Sequence, residues 1–140
     1  MYSFSIHPEV AGNISKSNFI DRSARPPKIA ELKYQFDGWL GDDLLESICT
    51  FIVTEQLMSS IKNSQLSGIA FKDVEIFPSE KFREIYGEKQ LPKFYWMQIV
   101  GKLGEADFAM SEKHRLVISA EALAVLTKFQ ISNADIEPYE

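Results

Sequence analysis

The chain is short of the residues from which most catalytic and metal sites are built. Its 140 residues include one cysteine, Cys49, and two histidines, His7 and His114. A lone cysteine excludes an internal disulfide and leaves no cysteine pair for a zinc ribbon. Cys49 lies beside the apolar run 51–53 (FIV), where a small buried side chain is the plain expectation. The two histidines share no local spacing suited to a metal or a proton relay. There is no G-x-S-x-G elbow, no phosphate-binding G-x-x-x-x-G-K loop and no G-x-G-x-x-G fingerprint; Gly101 and Gly104 have the wrong spacing. The sequence therefore points to no catalytic residue, no metal and no cofactor.

Two other scarcities narrow the class. No apolar stretch approaches the roughly 18 residues of a membrane span. The start, MYSFSIHP, has no basic patch followed by an apolar run, so no signal peptide is expected and a cytoplasmic location follows. Positive charge is also short, with 15 Lys and Arg against 20 Asp and Glu and a net charge of −5. Residues 1–37 hold five basic and four acidic side chains, and the remainder ten basic and sixteen acidic. Such a balance is poor for neutralising phosphates, so nucleic acid is not an expected partner. It suits solubility, or a basic protein.

What is present is an ordinary globular composition, 45% hydrophobic and 25% charged, in a length that fits a single domain over 1–140. Tyr2, Phe4 and Ile6 alternate with polar residues and predict a strand, as do Ala30, Leu32, Tyr34 and Phe36. Residues 11–18 read as a polar loop, and the double proline Pro26-Pro27 as part of an extended connector over 22–28. Gly41-Asp42-Asp43 resembles a helix start, with Leu44, Leu45 and Ile48 as the buried face of a short helix. Leu57, Met58 and Ile61 predict a helix from Thr54, and residues 69–77 an extended stretch rich in β-branched and aromatic side chains. Pro78-Ser79 opens a short helix or turn carrying Phe82, Ile85 and Tyr86, with Gly87 as its stop. Residues 94–100 are apolar on both faces and predict a covered central strand with Tyr95 and Trp96 in the core. Residues 101–112 form a loop or hairpin. A strand over 114–118 then leads to a helix opened by Ser119, with Leu123, Leu126 and Phe129 inward. The acidic tail 133–140 is pinned by Ile136 and Tyr139. The whole predicts an α+β (mixed α/β) fold: a mostly antiparallel sheet of about five to six strands with two to three helices.

Two segments share one pattern at an offset of 65 residues. FIVTEQL at 51–57 matches LVISAEAL at 116–123; Thr54 aligns with Ser119, Ile61 with Leu126, Leu66 with Ile131 and Ser67 with Ser132. The pattern is a repeated strand–cap–helix unit, spanning 51–77 and 116–136, in which each hydroxyl accepts a hydrogen bond from the first helical turn. Glu55 and Glu121 add negative charge at those helix starts.

The candidate contact residues are Trp39, Asp42 and Asp43. An exposed tryptophan beside two carboxylates makes an interface anchor with a charged rim; the alternative is Trp39 folded back as a lid on the core, and Asp42-Asp43 acting as helix caps. Glu105 and Asp107, flanking Ala106, read as solvated loop charges.

The strand, the Thr cap, the helix and the following 66–75 (LSGIAFKDVE) resemble small immunity-associated proteins of bacterial polymorphic-toxin systems. Residues 115–136 look like a variation on the same theme, and the N-terminal third is outside the likeness. One branch of that group carries paired C-x-x-C-G metal motifs; this chain lacks those cysteines, so the zinc element does not carry over. The resemblance implies a cytoplasmic, non-catalytic antitoxin that binds and blocks a cognate effector, and the acidic surplus would suit a basic toxin domain. A small-ligand-binding or enzymatic domain is the alternative, and would need a deep pocket uniting Cys49, a histidine and carboxylates. A structural subunit would instead expose an apolar patch for self-association.

Overall fold

Strands that are apolar on both faces need a layer on each side, and that requirement organises this molecule. The computed structural model describes residues 3–14, 20–21, 28–29, 32–47 and 50–139. In chain order the elements are β1 (Ser3–His7), β2 (Gly12–Ile14), β3 (Ile20–Asp21), β4 (Lys28–Ile29), β5 (Lys33–Phe36), β6 (Leu44–Ser47), β7 (Thr50–Thr54), α1 (Glu55–Asn63), β8 (Ile69–Asp73), β9 (Glu75–Pro78), α2 (Glu80–Tyr86), β10 (Phe94–Ile99), β11 (Phe108–Met110), β12 (Leu116–Ser119), α3 (Ala120–Leu126) and β13 (Asp135–Tyr139). The fold is α+β and its pairings are antiparallel except between β5 and β9. The strands divide among separate sheets rather than joining one: β11-β12-β1-β13, β6-β7-β10-β8, β2-β5-β9 and the pair β3-β4.

All five residues of β7 are buried because the strand feeds two cores. Phe51 and Val53 join Leu44, Met97, Ile6, Leu116 and Ile118 in the main core, closed by Leu57 and Ile61 of α1 and by Val125 and Leu126 of α3. Ile52 faces the other way, with Leu45, Phe94 and Trp96, against Tyr34 and Phe36 of β5 and Phe82 of α2. Those rings interlock: Phe36 lies 5.0 Å from Tyr34 and 5.3 Å from Phe94, centroid to centroid. Burying each such aliphatic or aromatic side chain contributes about 1.5–3 kcal/mol.

Two units, β6-β7-α1-β8 and β11-β12-α3-β13, have the same order and the same pairing. In each sheet the third strand is supplied from outside the unit. Strand β10, which leads into the second unit, lies between β7 and β8 of the first; β1 lies between β12 and β13 of the second. The registers coincide. Met97 faces Phe51 and Phe71, and Ile6 faces Leu116 and Ile136. Phe51 and Leu116, like Phe71 and Ile136, are 65 residues apart.

Several expectations are corrected. Leu44 and Leu45 are not on a helix; they belong to β6 and point to opposite cores. Two adjacent leucines read equally well as one helical face or as both faces of a covered strand. Ile48 and Cys49 lie outside the described residues, as do 15–19 and 22–27 of the expected loop and connector. Part of that loop is strand β2, where Gly12 pairs with Phe36. The tail is strand β13, paired along β1. Helix α2 buries Phe82 but leaves Ile85 60% exposed.

A buried carboxylate brace and the groove beside it

The pair Asp42-Asp43 is drawn into the interior rather than onto a rim. Asp42 is fully buried and Asp43 is 5% exposed. The backbone of Asp43 brackets two distant segments: its N–H donates to Gln130 O at 2.7 Å, and its carbonyl accepts from Thr54 N at 3.0 Å. Its side chain repeats both links. Oδ1 accepts from Thr54 Oγ1 at 2.7 Å and from Gln56 Nε2 at 3.0 Å, and Oδ2 accepts from Gln130 N at 2.8 Å. Asp42 grips Asn133, accepting from its backbone N–H and from its Nδ2, both at 2.9 Å. A carboxylate can be buried when donors converge on it in this way.

Glu9 completes the brace from the other side, accepting from Leu40 N at 2.8 Å and Asp42 N at 3.3 Å. Burial pushes its carboxyl above the usual range, and the Asp42 charge adds to this, against the lowering effect of the two backbone bonds. Asp42 and Asp43 hold the loop 39–43 against 130–133, and Glu9 ties it to the segment after β1. Asp42 has no exposed surface and is not placed to touch a partner, which corrects its expected role at a contact surface; Asp43 reaches the floor of the groove beside Trp39, with its carboxylate engaged by internal donors.

Asp107 occupies the equivalent place in the second unit. Its carbonyl accepts from Ser119 N at 2.9 Å and its Oδ1 from Ser119 Oγ at 2.7 Å. Its Oδ2 accepts from Ser67 N at 2.9 Å and Ser67 Oγ at 3.1 Å. The exchange is crosswise: Asp43 binds the loop after α3, and Asp107 the loop after α1. Asp107 is part-exposed, as expected of a loop charge, but is also tied down by these bonds. The hydroxyl cap holds for one unit only. Ser119 Oγ accepts from Ala122 N at 3.1 Å, whereas Thr54 makes no side-chain cap to α1 and gives its proton to Asp43.

Burial pushes the Asp107 carboxyl up, but hydrogen bonds from Ser119 and Ser67 outweigh it and hold the group below the ordinary 3.8. With the folded value depressed, this stabilisation is present above about pH 4 and is lost as pH falls through the folded value. Asp107→Asn is expected to destabilise the protein at neutral pH by about 1 kcal/mol or less, because solvent screens this part-exposed carboxylate. The gap between variant and parent should shrink as pH falls below about 4, read from thermal unfolding across pH. A gap that is constant with pH would contradict this.

Trp39 takes the lid position. Its Nε1 donates to Asp42 O at 2.9 Å and its ring meets Phe94 edge-on at 5.9 Å. The half-buried indole still lines an open groove of about 610 Å³, together with Gln56, Gln90, Leu91, Lys93 and Gln130. Lys89 Nζ lies 5.3 Å from the Trp39 ring centroid. Leu40, beside Trp39, is 64% exposed. No sequence pattern marked the groove: it is assembled from segments around 39, 56, 90 and 130, and a glutamine carries no motif.

The histidines are separate from it. His114 takes a positive φ of 59° in a turn closed by its N–H to Ser111 O, and His7 lines a shallow depression with Arg115, Asp135 and Glu137. Among the described residues no group of three or more His, Cys, Asp or Glu is placed to hold a metal, and no helix is long and apolar enough to cross a membrane. Comparison with family models and with curated proteins finds no match to the chain.

Proposed function

We propose that this chain is a non-catalytic protein-binding domain, an immunity-type inhibitor that acts in the cytoplasm by occupying and neutralising a cognate bacterial toxin. The observation that supports the reading is the groove walled by Trp39. Its lining mixes one indole, Leu91 and Pro92 with the side-chain amides of Gln56, Gln90 and Gln130. Small-molecule sites are mostly enclosed and apolar. An open groove with an aromatic anchor and several amides suits a protein surface, where tryptophan is among the residues that carry most binding energy. The residues that carry the binding are then Trp39 and its groove neighbours, Asp43 among them, with Asp42 acting through the loop it fixes. The net charge of −5 favours a partner that is basic overall, chiefly by speeding encounter.

The test is a pull-down from the source organism with the tagged protein and its Trp39→Ala variant as baits, at low and high salt. One stoichiometric partner is expected with the parent bait, about tenfold less with Trp39→Ala, and purified parent protein should suppress that partner's activity. Recovery of no stoichiometric partner, or of one that stays fully active when bound, would overturn the reading.

A further inference from the structure

The groove beside Trp39 does not end at Leu91. A second depression, of about 630 Å³, opens between the end of α2 and residues 87–91. The two share Gln90 and Leu91, so these residues form a ridge with a hollow on either side. A ridge of this kind fits an extended chain, whose successive side chains point to opposite sides. The amides of Gln56, Gln90 and Gln130 offer donors and an acceptor, the same complement as a peptide group. Gln56 already spends one N–H on Asp43.

Outside the buried Asp43, this double groove carries three cations against two carboxylates, in a chain of net charge −5. Its cations are Arg83, Lys89 and Lys93. None of the three closes an ion pair among the described residues, whose salt bridges are Lys33–Glu75 and Lys102–Glu105. Lys89 instead lies over the rings of Trp39 and Tyr86, at 5.3 and 5.4 Å, and Lys93 over Tyr95 at 4.9 Å. On the acidic side, Asp43 is consumed by its internal donors, and Glu55 accepts from the Tyr95 hydroxyl at 3.2 Å. Glu55 keeps its charge in that bond, so Glu55 and Glu88 are the carboxylates that face the three cations. An ammonium held over an aromatic face keeps its charge and is steered by the ring.

We propose that this double groove binds an extended segment of the partner protein in which acidic side chains flank an apolar one. The apolar residue packs on Trp39 and Leu91, the carboxylates meet Lys89, Lys93 and Arg83, and the peptide groups pair with the glutamine amides. This assignment rests on the protein-binding reading above and adds the chemistry of the bound segment to it. A partner that is basic overall can carry such a segment, since net charge governs approach and local charge governs docking.

The experiment is a display selection with a random peptide library on the whole protein, followed by synthesis of the recovered consensus peptide. The expected consensus holds two or more Asp or Glu around a large apolar residue. Its affinity should fall about tenfold or more for the Lys89→Glu/Lys93→Glu double variant and also for Trp39→Ala, and stay unchanged for Lys113→Glu, which lies outside the groove. Lys89, Lys93 and Lys113 are exposed, so these charge reversals should leave the unfolding temperature near that of the parent. No enriched peptide, a basic consensus, or a peptide indifferent to the double reversal would each overturn the proposal. The natural partner separates the two readings. If it stays bound to the Lys89→Glu/Lys93→Glu variant, the acidic-segment assignment falls and the protein-binding reading stands. If no partner binds the parent protein at all, it is the protein-binding reading that falls.

Discussion

Asp43→Ala is expected to destabilise the protein by about 3–5 kcal/mol, a drop of roughly 10–15 °C in unfolding temperature for a chain of this size. The reason is the number of donors that lose their acceptor together. Thr54 Oγ1, Gln130 N and Gln56 Nε2 all point at this one carboxylate. Thr54 is itself buried, so its hydroxyl cannot turn to solvent. Each buried donor left unpaired costs about 1–3 kcal/mol. The loss also unties the start of α1 from the loop after α3, because the side chain duplicates the backbone bonds from Asp43 to Gln130 and Thr54. Asp43→Asn keeps the shape and one oxygen but sets an NH₂ against one of the donors; a loss of about half is expected. Equilibrium denaturation of both variants measures it. The outcome also separates two roles for the same residue. A carboxylate on a contact rim would weaken partner binding and leave stability within about 0.5 kcal/mol of the parent. A cost below about 1 kcal/mol would therefore sink the brace and restore the rim.

That contrast shows where the sequence could be read and where it could not. The units built on Thr54 and Ser119 were legible because their signals are local: a run of apolar residues, a hydroxyl, then Leu57, Met58 and Ile61 at helical spacing. The α+β class follows from such segments. The exchange of β1 and β10 between the two sheets was not legible, since it depends on which strand fills a gap left about 110 residues away for β1 and about 40 for β10. The same limit explains Asp42 and Asp43. Two acids after a glycine look like surface or cap residues when only neighbours in sequence are considered. Their donors are Asn133 and Gln130, brought to them by the loop that follows α3. Leu44-Leu45 failed for a different reason, because a short apolar pair has no period to measure. Trp39 could be singled out as a candidate from its type and its turn, whereas Gln56, Gln90 and Gln130, which line the same groove, had no feature to find.

The second large effect is expected at Gly68, and the two units again explain it. Gly68 has a φ of +93°. Its carbonyl accepts from Val100 N at 2.8 Å and Gly101 N at 3.0 Å, so two backbones cross here without side chains between them. A Cβ on Gly68 would overlap Phe108 O and lie 2.9 Å from Ala106 Cβ; one on Gly101 would lie 2.7 Å from Gly68 Cα. At the corresponding crossing of the other unit stand Asn133 and Asp42, 65 residues after Gly68 and 64 before Ala106. There the gap is bridged by the Asp42 carboxylate and the Asn133 amide. One crossing is held by side chains, and the other closes because there are none. Gly68→Ala must then pay both a left-handed backbone and a clash against main chain that cannot swing aside, together about 3 kcal/mol or more. Gly104→Ala is the control, because its φ of +85° is similar but nothing lies within 4 Å of its Cβ; it should cost about 1–2 kcal/mol from conformation alone. Denaturation of the two variants side by side isolates the clash. Equal losses would mean that the chains do not pass as closely as the carbonyl bonds from Val100 and Gly101 require.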